Sequence, residues 1–266
     1  MPNDTQTLSH LRIDAYVARK GVRSKKTPTT QRGIPMFRML FQSVITLLIL
    51  ATVAIPPITA PVPVAVTDVP FPTVGPDSVA VSLIATVGVD GRVSEIRPVD
   101  IAGSTPNGAR YEGTLVGYEQ NSLRVLKNWE FAPALDGSSG KPVPAPASVT
   151  FLYQRAGWFD DLPTLNKDIS VAGDFVPPIL TRARPLPEYP WNSIGVGAVI
   201  LVLEVRENGS VGEVKNIRSV PSLDEPSLQA VRNWTFAPAR YLGKPVRSTA
   251  TVAIDYLYRF NNINNE

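Results

Sequence analysis

The stretch Asn128-Trp129-Glu130-Phe131-Ala132-Pro133-Ala134 returns almost unchanged as Asn233-Trp234-Thr235-Phe236-Ala237-Pro238-Ala239. Each copy is followed by Gly-Lys-Pro-Val, at Gly140 to Val143 and at Gly243 to Val246. So specific a repeat means that one small unit was built twice. The match extends upstream, where Val87-Gly88-Val89-Asp90-Gly91-Arg92-Val93 corresponds to Val205-Arg206-Glu207-Asn208-Gly209-Ser210-Val211. The offset is 118 residues at Gly91 and Gly209 but 105 at Trp129 and Trp234, so the first copy carries 13 additional residues. They fall between Asp100 and Gln120, a stretch rich in Gly, Ser and Asn that reads as an enlarged surface loop.

The second copy is the cleaner one. Ala198 to Val205 is an apolar run broken only by Glu204, and Asn208-Gly209 just beyond it supplies the positive φ angles of a tight hairpin. This pair decides for a strand, with Val211 to Ile217 as its return. Asp224 reads as a helix N-cap, with Glu225 in the first turn and Pro226 where a missing N–H costs little. Leu228, Val231 and Trp234 follow at helical spacing and mark the core face. The last element alternates strictly. Val246, Ser248, Ala250, Val252, Ile254, Tyr256 and Tyr258 take one face, and Arg247, Thr249, Thr251, Asp255 and Leu257 the other. Such alternation predicts a half-buried strand.

The expected fold is therefore α+β, with two tandem units in the order strand, strand, helix, strand. Each unit is a three-stranded antiparallel sheet carrying one helix. The expected boundaries are a basic tail at 1–38, an apolar segment at 39–55, a Pro-rich linker at 56–77, the first unit at 78–154, a connector at 155–183, the second unit at 184–260 and a polar tail at 261–266. A unit of about 75 residues buries barely enough surface to be stable, and three strands leave two open edges. The copies are expected to lean on each other or on a partner.

Net charge is only +3, and much of the basic charge precedes the apolar segment: Arg12, Arg19, Lys20, Arg23, Lys25, Lys26, Arg32 and Arg38. That balance, and the lack of Lys-Arg clusters with interleaved aromatics in the repeats, argue against nucleic acid. Met39 to Ile55 carries no charge over 17 residues. Two readings stand for it. As an uncleaved inner-membrane anchor it places the N-terminus in the cytoplasm and both repeats in the periplasm. As a signal peptide read from Met36 it ends at Ala54 or Ala60 and leaves a periplasmic or secreted protein. The Pro-rich linker, in polyproline geometry at ~3.1 Å per residue, reaches about 65 Å.

Catalytic chemistry has little to work with. The one histidine is His10, and there is no cysteine. Ser-His-Asp and Cys-His arrangements, thiolate metal sites and Gly-rich phosphate loops are absent from the repeats, so no enzyme, no cofactor and no metal are expected. Asp160-Asp161 and Asp224-Glu225 read as a loop and a helix start. Trp129 and Trp234 read as core residues, and Gly-Lys-Pro-Val as a turn into the final strand.

Tyr189-Pro190 with its flanking Leu186-Pro187-Glu188, then Glu207-Asn208-Gly209-Ser210-Val211, Leu223-Asp224-Glu225, Leu228 to Ala239 and Gly243-Lys244-Pro245-Val246 together resemble the TonB C-terminal domain over about 184–260. The signature residues are Asn208, Gly209, Asp224, Trp234, Phe236, Pro238, Gly243 and Pro245, with Trp129, Phe131 and Pro133 in the first copy. That copy is similar but degenerate: it lacks the Tyr-Pro motif and has Glu119 where Asp224 stands.

The resemblance implies an energy transducer anchored in the inner membrane. Its partners would be an inner-membrane proton-channel complex and the peptide box of an outer-membrane transporter. Docking would occur by strand addition, at Tyr189, Pro190, Arg247, Thr249, Thr251, Ala253 and Asp255. The final strand has no proline after Pro245, whereas the first copy carries Pro144 and Pro146 there, so the second copy is expected to dock and the first to support. The two copies either pair intramolecularly, which would hide this strand, or leave it free; a homodimer is the other expected pairing. The chain departs from the family in two ways. Its apolar run has no histidine, only Gln42, Ser43, Thr46 and Thr52 as polar residues, and its linker lacks Glu-Pro and Lys-Pro repeats. A binding or scaffolding module without energy coupling is the competing reading.

Overall fold

The structure, a computed structural model, describes residues 58–72, 75–76, 78–104, 111–155, 173–184 and 187–257. The basic tail, the apolar run 39–55, Trp158, Phe159, Asp160, Asp161, Tyr258 and the polar tail lie outside the described residues. In the first copy the strands are β1 (Val62–Ala65), β2 (Ser78–Val87) and β3 (Val93–Ser104). Helix α1 (Val116–Lys127) follows, then β4 (Glu130–Ala132), β5 (Ala134–Leu135), β6 (Pro142–Val143) and β7 (Ala145–Arg155). The second copy begins with β8 (Phe175–Val176), β9 (Ile179–Arg182), β10 (Gly197–Val205) and β11 (Val211–Arg218). It continues through α2 (Pro221–Val231), β12 (Thr235–Ala237), β13 (Ala239–Tyr241), β14 (Lys244–Val246) and β15 (Ser248–Leu257).

The two halves of the repeat signature touch each other. Asn208 Oδ1 accepts from the Ser210 N–H at 3.0 Å and from its hydroxyl at 2.7 Å, which folds the turn. Gly209 then sits at φ +81°, and its carbonyl accepts the Phe236 N–H at 2.9 Å. A Cβ at this glycine would lie 2.0 Å from the Phe236 carbonyl oxygen. Gly91 repeats the arrangement at φ +78°, with its Cβ position 2.1 Å from the Phe131 oxygen. The Asn-Trp-x-Phe segment after each helix therefore returns to the hairpin turn before it. Trp129 and Trp234 are 1% and 2% exposed, sealed beneath that return.

The copies do not stand as two three-stranded sheets. One six-stranded sheet runs in the order β11-β10-β15-β7-β2-β3. Each copy supplies an antiparallel hairpin and a final strand, and the final strands lie side by side. β15 pairs antiparallel with β10 from Ser248 to Tyr256 and parallel with β7 from Thr251↔Val149 to Leu257↔Arg155. Two equivalent strands in parallel are related by a pseudo-two-fold along the strand direction. The helices consequently cover opposite faces. Leu223 and Val231 of α2 join Val199, Leu201, Val252 and Ile254 in one core. Tyr118, Val125 and Leu126 of α1 join Val81, Leu83, Phe151, Ile200 and Ala253 in the other. Coverage of both faces corrects the expectation of a half-buried final strand: Thr251 is 4% exposed and Asp255 is 3%.

Two boundaries also move. Helix α2 starts at Pro221 with Val220 as N-cap, so Asp224 is not the cap and Pro226 lies within the helix. Proline tolerates the first helical position, and Asp224 reaches back from the first turn to accept the Val220 N–H at 2.9 Å. The Pro-rich stretch is not a free linker. β1 pairs with β4 just as β9 pairs with β12. Phe71-Pro72 precedes Gly91 by the same interval that separates Tyr189-Pro190 from Gly209. The rings take matching places, Phe71 5.6 Å from Tyr153 and Tyr189 6.1 Å from Tyr256. The stretch from Ile58 thus packs with the first copy, and the end of the connector, from Phe175, pairs with the second.

Substituting Gly209→Ala combines a strained φ with a backbone clash, and is expected to cost about 3 kcal/mol in urea unfolding. A loss below about 1 kcal/mol would show that the turn does not depend on this close approach.

Candidate partner-docking site

A sheet presents docking capacity at its edges, where N–H and C=O groups lack a ladder. The residues expected to dock are not at one. Thr251, Ala253 and Asp255 are opposite Val149, Phe151 and Tyr153 of β7, and opposite Val202, Ile200 and Ala198 of β10. Their backbone is paired on both sides. Arg247 and Thr249 precede this seam; the Arg247 side chain is exposed and stands 3.7 Å from Glu204. Of the other expected residues, Tyr189 is buried and donates its hydroxyl to the Gly195 carbonyl at 2.8 Å. Pro190 opens a turn, its carbonyl accepting the Ser193 N–H at 2.9 Å. Phe236 is 3% exposed, Gly243 lies at φ +78°, Pro245 pairs with Arg240, and Pro133 and Pro238 each separate two short strands.

The edges of the six-stranded sheet are β3 and β11. Both edge pairings carry two register irregularities, at Ser82/Leu83 and Thr86/Val87 of β2 against β3 and at Ile200/Leu201 and Leu203/Val205 of β10 against β11, but β3 also contains Pro98, which has no N–H. β11 contains no proline over Val211–Arg218. Its Glu213 and Lys215 are exposed, and edge charges of this kind discourage indiscriminate pairing while leaving the ladder available.

Beside the end of β11 lies a rigid apolar loop. The Cβ position of Gly195 is 3.3 Å from Val220 Cγ1 and 2.6 Å from Ser222 Oγ, so the loop packs on the chain just past Arg218. Ser193 Oγ holds the Gly195 N–H at 3.0 Å and meets Ser222 Oγ at 2.8 Å. Yet Trp191 is 96% exposed, Ile194 84% and Val196 56%. Large apolar side chains held outward by a fastened backbone mark an interaction surface rather than a disordered loop. The sequence reading passed over these three residues. The signal was a Trp, an Ile and a Val between the Tyr-Pro motif and the strand, too short a run for any periodicity.

A second pattern missed in the sequence ties each helix to its final strand. Ser227 Oγ donates to the Leu223 carbonyl at 2.7 Å and meets Tyr256 Oη at 2.7 Å. Ser122 repeats this with the Tyr118 carbonyl at 2.8 Å and Tyr153 Oη at 2.9 Å. Burial pushes the Tyr153 phenol up to about 12 against the opposing hydrogen bonds, and Tyr256 up as well. Both stay neutral and serve as fasteners.

These features define an α+β sheet protein in which, among the described residues, the proline-free edge strand β11 lies next to an exposed apolar loop. Residues 187–257 match the family described as Gram-negative bacterial TonB protein C-terminal, and this segment of the chain is a TonB C-terminal domain. No curated protein and no solved structure matches the chain. Among the described residues no helix is long and apolar enough to cross a membrane.

Trp191→Ala combined with Ile194→Ala removes two side chains that are almost wholly exposed. The double variant is expected to shift unfolding by less than about 0.5 kcal/mol. A cost above about 2 kcal/mol would assign the loop to the core instead.

Proposed function

We propose that this chain is a TonB-like protein of the bacterial envelope that docks an extended segment of an outer-membrane transporter by strand addition. The observation that carries the reading is the β11 edge of a TonB C-terminal domain, unpaired on its outer side among the described residues and flanked by Trp191, Ile194 and Val196. In the closed sheet β11 takes the incoming segment, and the apolar loop receives a side chain where the segment runs past Arg218. Docking at Thr251, Ala253 and Asp255 requires that β7 first leave β15. The first copy is a degenerate relative of the same domain, as its matching turn, Trp and Ser–Tyr fastener support.

Transmission of inner-membrane energy is the finer reading, and one observation favours the alternative of a binding module without it. Only residues 56 and 57 lie between the apolar run and Ile58, where the packed strap begins. Their maximal reach is about 10 Å. The 65 Å of extended linker expected from composition is folded into the first copy.

A photo-crosslinking residue in place of Lys215 is expected to capture an outer-membrane β-barrel protein in the native host, and one in place of the exposed Lys127 is not. Equal capture at both positions, or none at 215, would remove β11 as the docking edge. N-terminal sequencing of the mature chain separates the two readings of energy coupling. An intact chain in the inner membrane supports the transducer, and a chain beginning near Ile55 or Pro61 excludes it.

A further inference from the structure

The seam between β7 and β15 holds a residue that its own packing does not call for. Asp255 lies mid-sheet, 3% exposed, and its Oδ2 has no hydrogen-bond partner. Counting from the matching Gly-Lys-Pro-Val turns, the equivalent position in the first copy is Leu152, a core residue 1% exposed. The fold thus accepts an aliphatic side chain here, and a buried carboxylate works against it.

Among the described residues no cation forms an ion pair with Asp255, and the nearby Arg218 acts on it only at a distance. Across the seam, Tyr153 of β7 spends its hydroxyl on Ser122 and Asn121. On the other side, its β10 neighbour is Ala198. From β11, Arg218 is committed to an ion pair with Asp68 of the strap. From α1, Arg124 holds Asn121 Oδ1 at 2.6 Å, and Arg155 at the end of β7 stacks 5.3 Å over the Phe71 ring. Among the described residues β15 pairs from Ser248 with β10 but only from Thr251 with β7, although β7 begins at Ala145.

We propose that the β7–β15 seam is a proton-controlled latch: with Asp255 protonated the first copy holds the edge of β15, and ionisation of Asp255 releases it for an extended partner segment that pairs in parallel. This rests on strand addition as the mode of docking and concerns a second edge, distinct from β11. The sign follows from the environment. Burial raises the Asp255 carboxyl from 3.8 to about 7, against a lowering by Arg218, with Asp68 raising it further. The closed seam binds the proton more tightly than the open one. Closure is therefore strongest in acid and weakens as pH rises from about 4 through 7. One proton at these two values weakens closure about tenfold between pH 6 and pH 8. A segment that displaces β7 would place a hydroxyl, amide or basic side chain opposite Asp255, since only such groups satisfy Oδ2.

Amide hydrogen exchange on the full chain tests the latch directly. After correction for intrinsic rates, protection of the amides of Thr251–Leu257 that face β7 is expected to fall about tenfold from pH 6 to pH 8. In Asp255→Asn this pH dependence is expected to vanish, and in Asp255→Leu protection is expected to be high at both values. A fluorescent peptide with the sequence of Val149–Arg155 and Tyr153→Lys, which sets an ammonium opposite Asp255, is expected to bind the native chain about tenfold better at pH 8 than at pH 6, and to bind Asp255→Leu at neither. Equal protection at both pH values, or a pH dependence kept in Asp255→Asn, overturns the latch. An opening seam that takes up no peptide overturns the docking half. Neither result depends on whether β11 captures a transporter.

Discussion

Everything else in the molecule is arranged around the parallel pairing of β7 and β15. Each copy alone would expose one face of its final strand and one edge of its sheet. Joining the equivalent strands places Phe151 and Ala253 on one face and Leu152 and Ile254 on the other, all at most 1% exposed. Burial of a Phe, Leu or Ile contributes ~1.5–3 kcal/mol. Several such residues along one seam suffice to turn two marginal units into one cooperative body. The parallel direction has a further consequence. It rotates the second copy so that its helix lies on the opposite face, and each half closes a side that the other leaves open.

The repeat is kept most faithfully where backbone meets backbone. Gly91 and Gly209 allow the Phe131 and Phe236 segments to approach to a distance that no side chain permits. Ser122 and Ser227 bond both to their own helix and to the tyrosine of the final strand. These contacts fix where each helix sits on its sheet. Surface positions, by contrast, differ: Glu130 occupies the place that Thr235 has in the second copy, and Leu242 with its φ of +48° lies in a shorter turn than the one that in the first copy spans Asp136 to Gly140. Drift of this kind is cheap, because exposed side chains there contact little.

The same distinction explains what the sequence disclosed. Local rules found the hairpin at Asn208-Gly209, the order of elements and the buried tryptophans, since each depends on neighbours in the chain. The seam was invisible because Thr251 and Asp255 at alternate positions read as a solvent face, and no pattern within one strand says that another copy will cover it. Phe71 was hidden for a different reason. A Phe-Pro within a Pro- and Val-rich stretch looks like a linker until its ring is seen on Tyr153. The start of α2 was misplaced because Asp224 is a strong capping residue by type, while Pro221 at the first helical position determined the register. Trp191 and Ile194 carried no periodic signal, and only their exposure in a fastened loop singles them out.

The strap from Ile58 to Pro72 bears on how any partner is reached. It is tied to the first copy by β1–β4 pairing, by the Asn121 side chain on the Pro70 carbonyl at 2.6 Å and by Phe71 in the aromatic cluster. It is tied to the second copy at Arg218, the last residue of the open edge, through Asp68. A displacement of the chain at Ile58 therefore meets the folded body at once, with no slack to take up. An extended segment spans at most ~3.3–3.6 Å per residue, so about 20 residues of a partner cover some 70 Å. In the proposed strand addition the partner would supply length, and the sheet a fixed ladder, a charged edge and an apolar loop at its end.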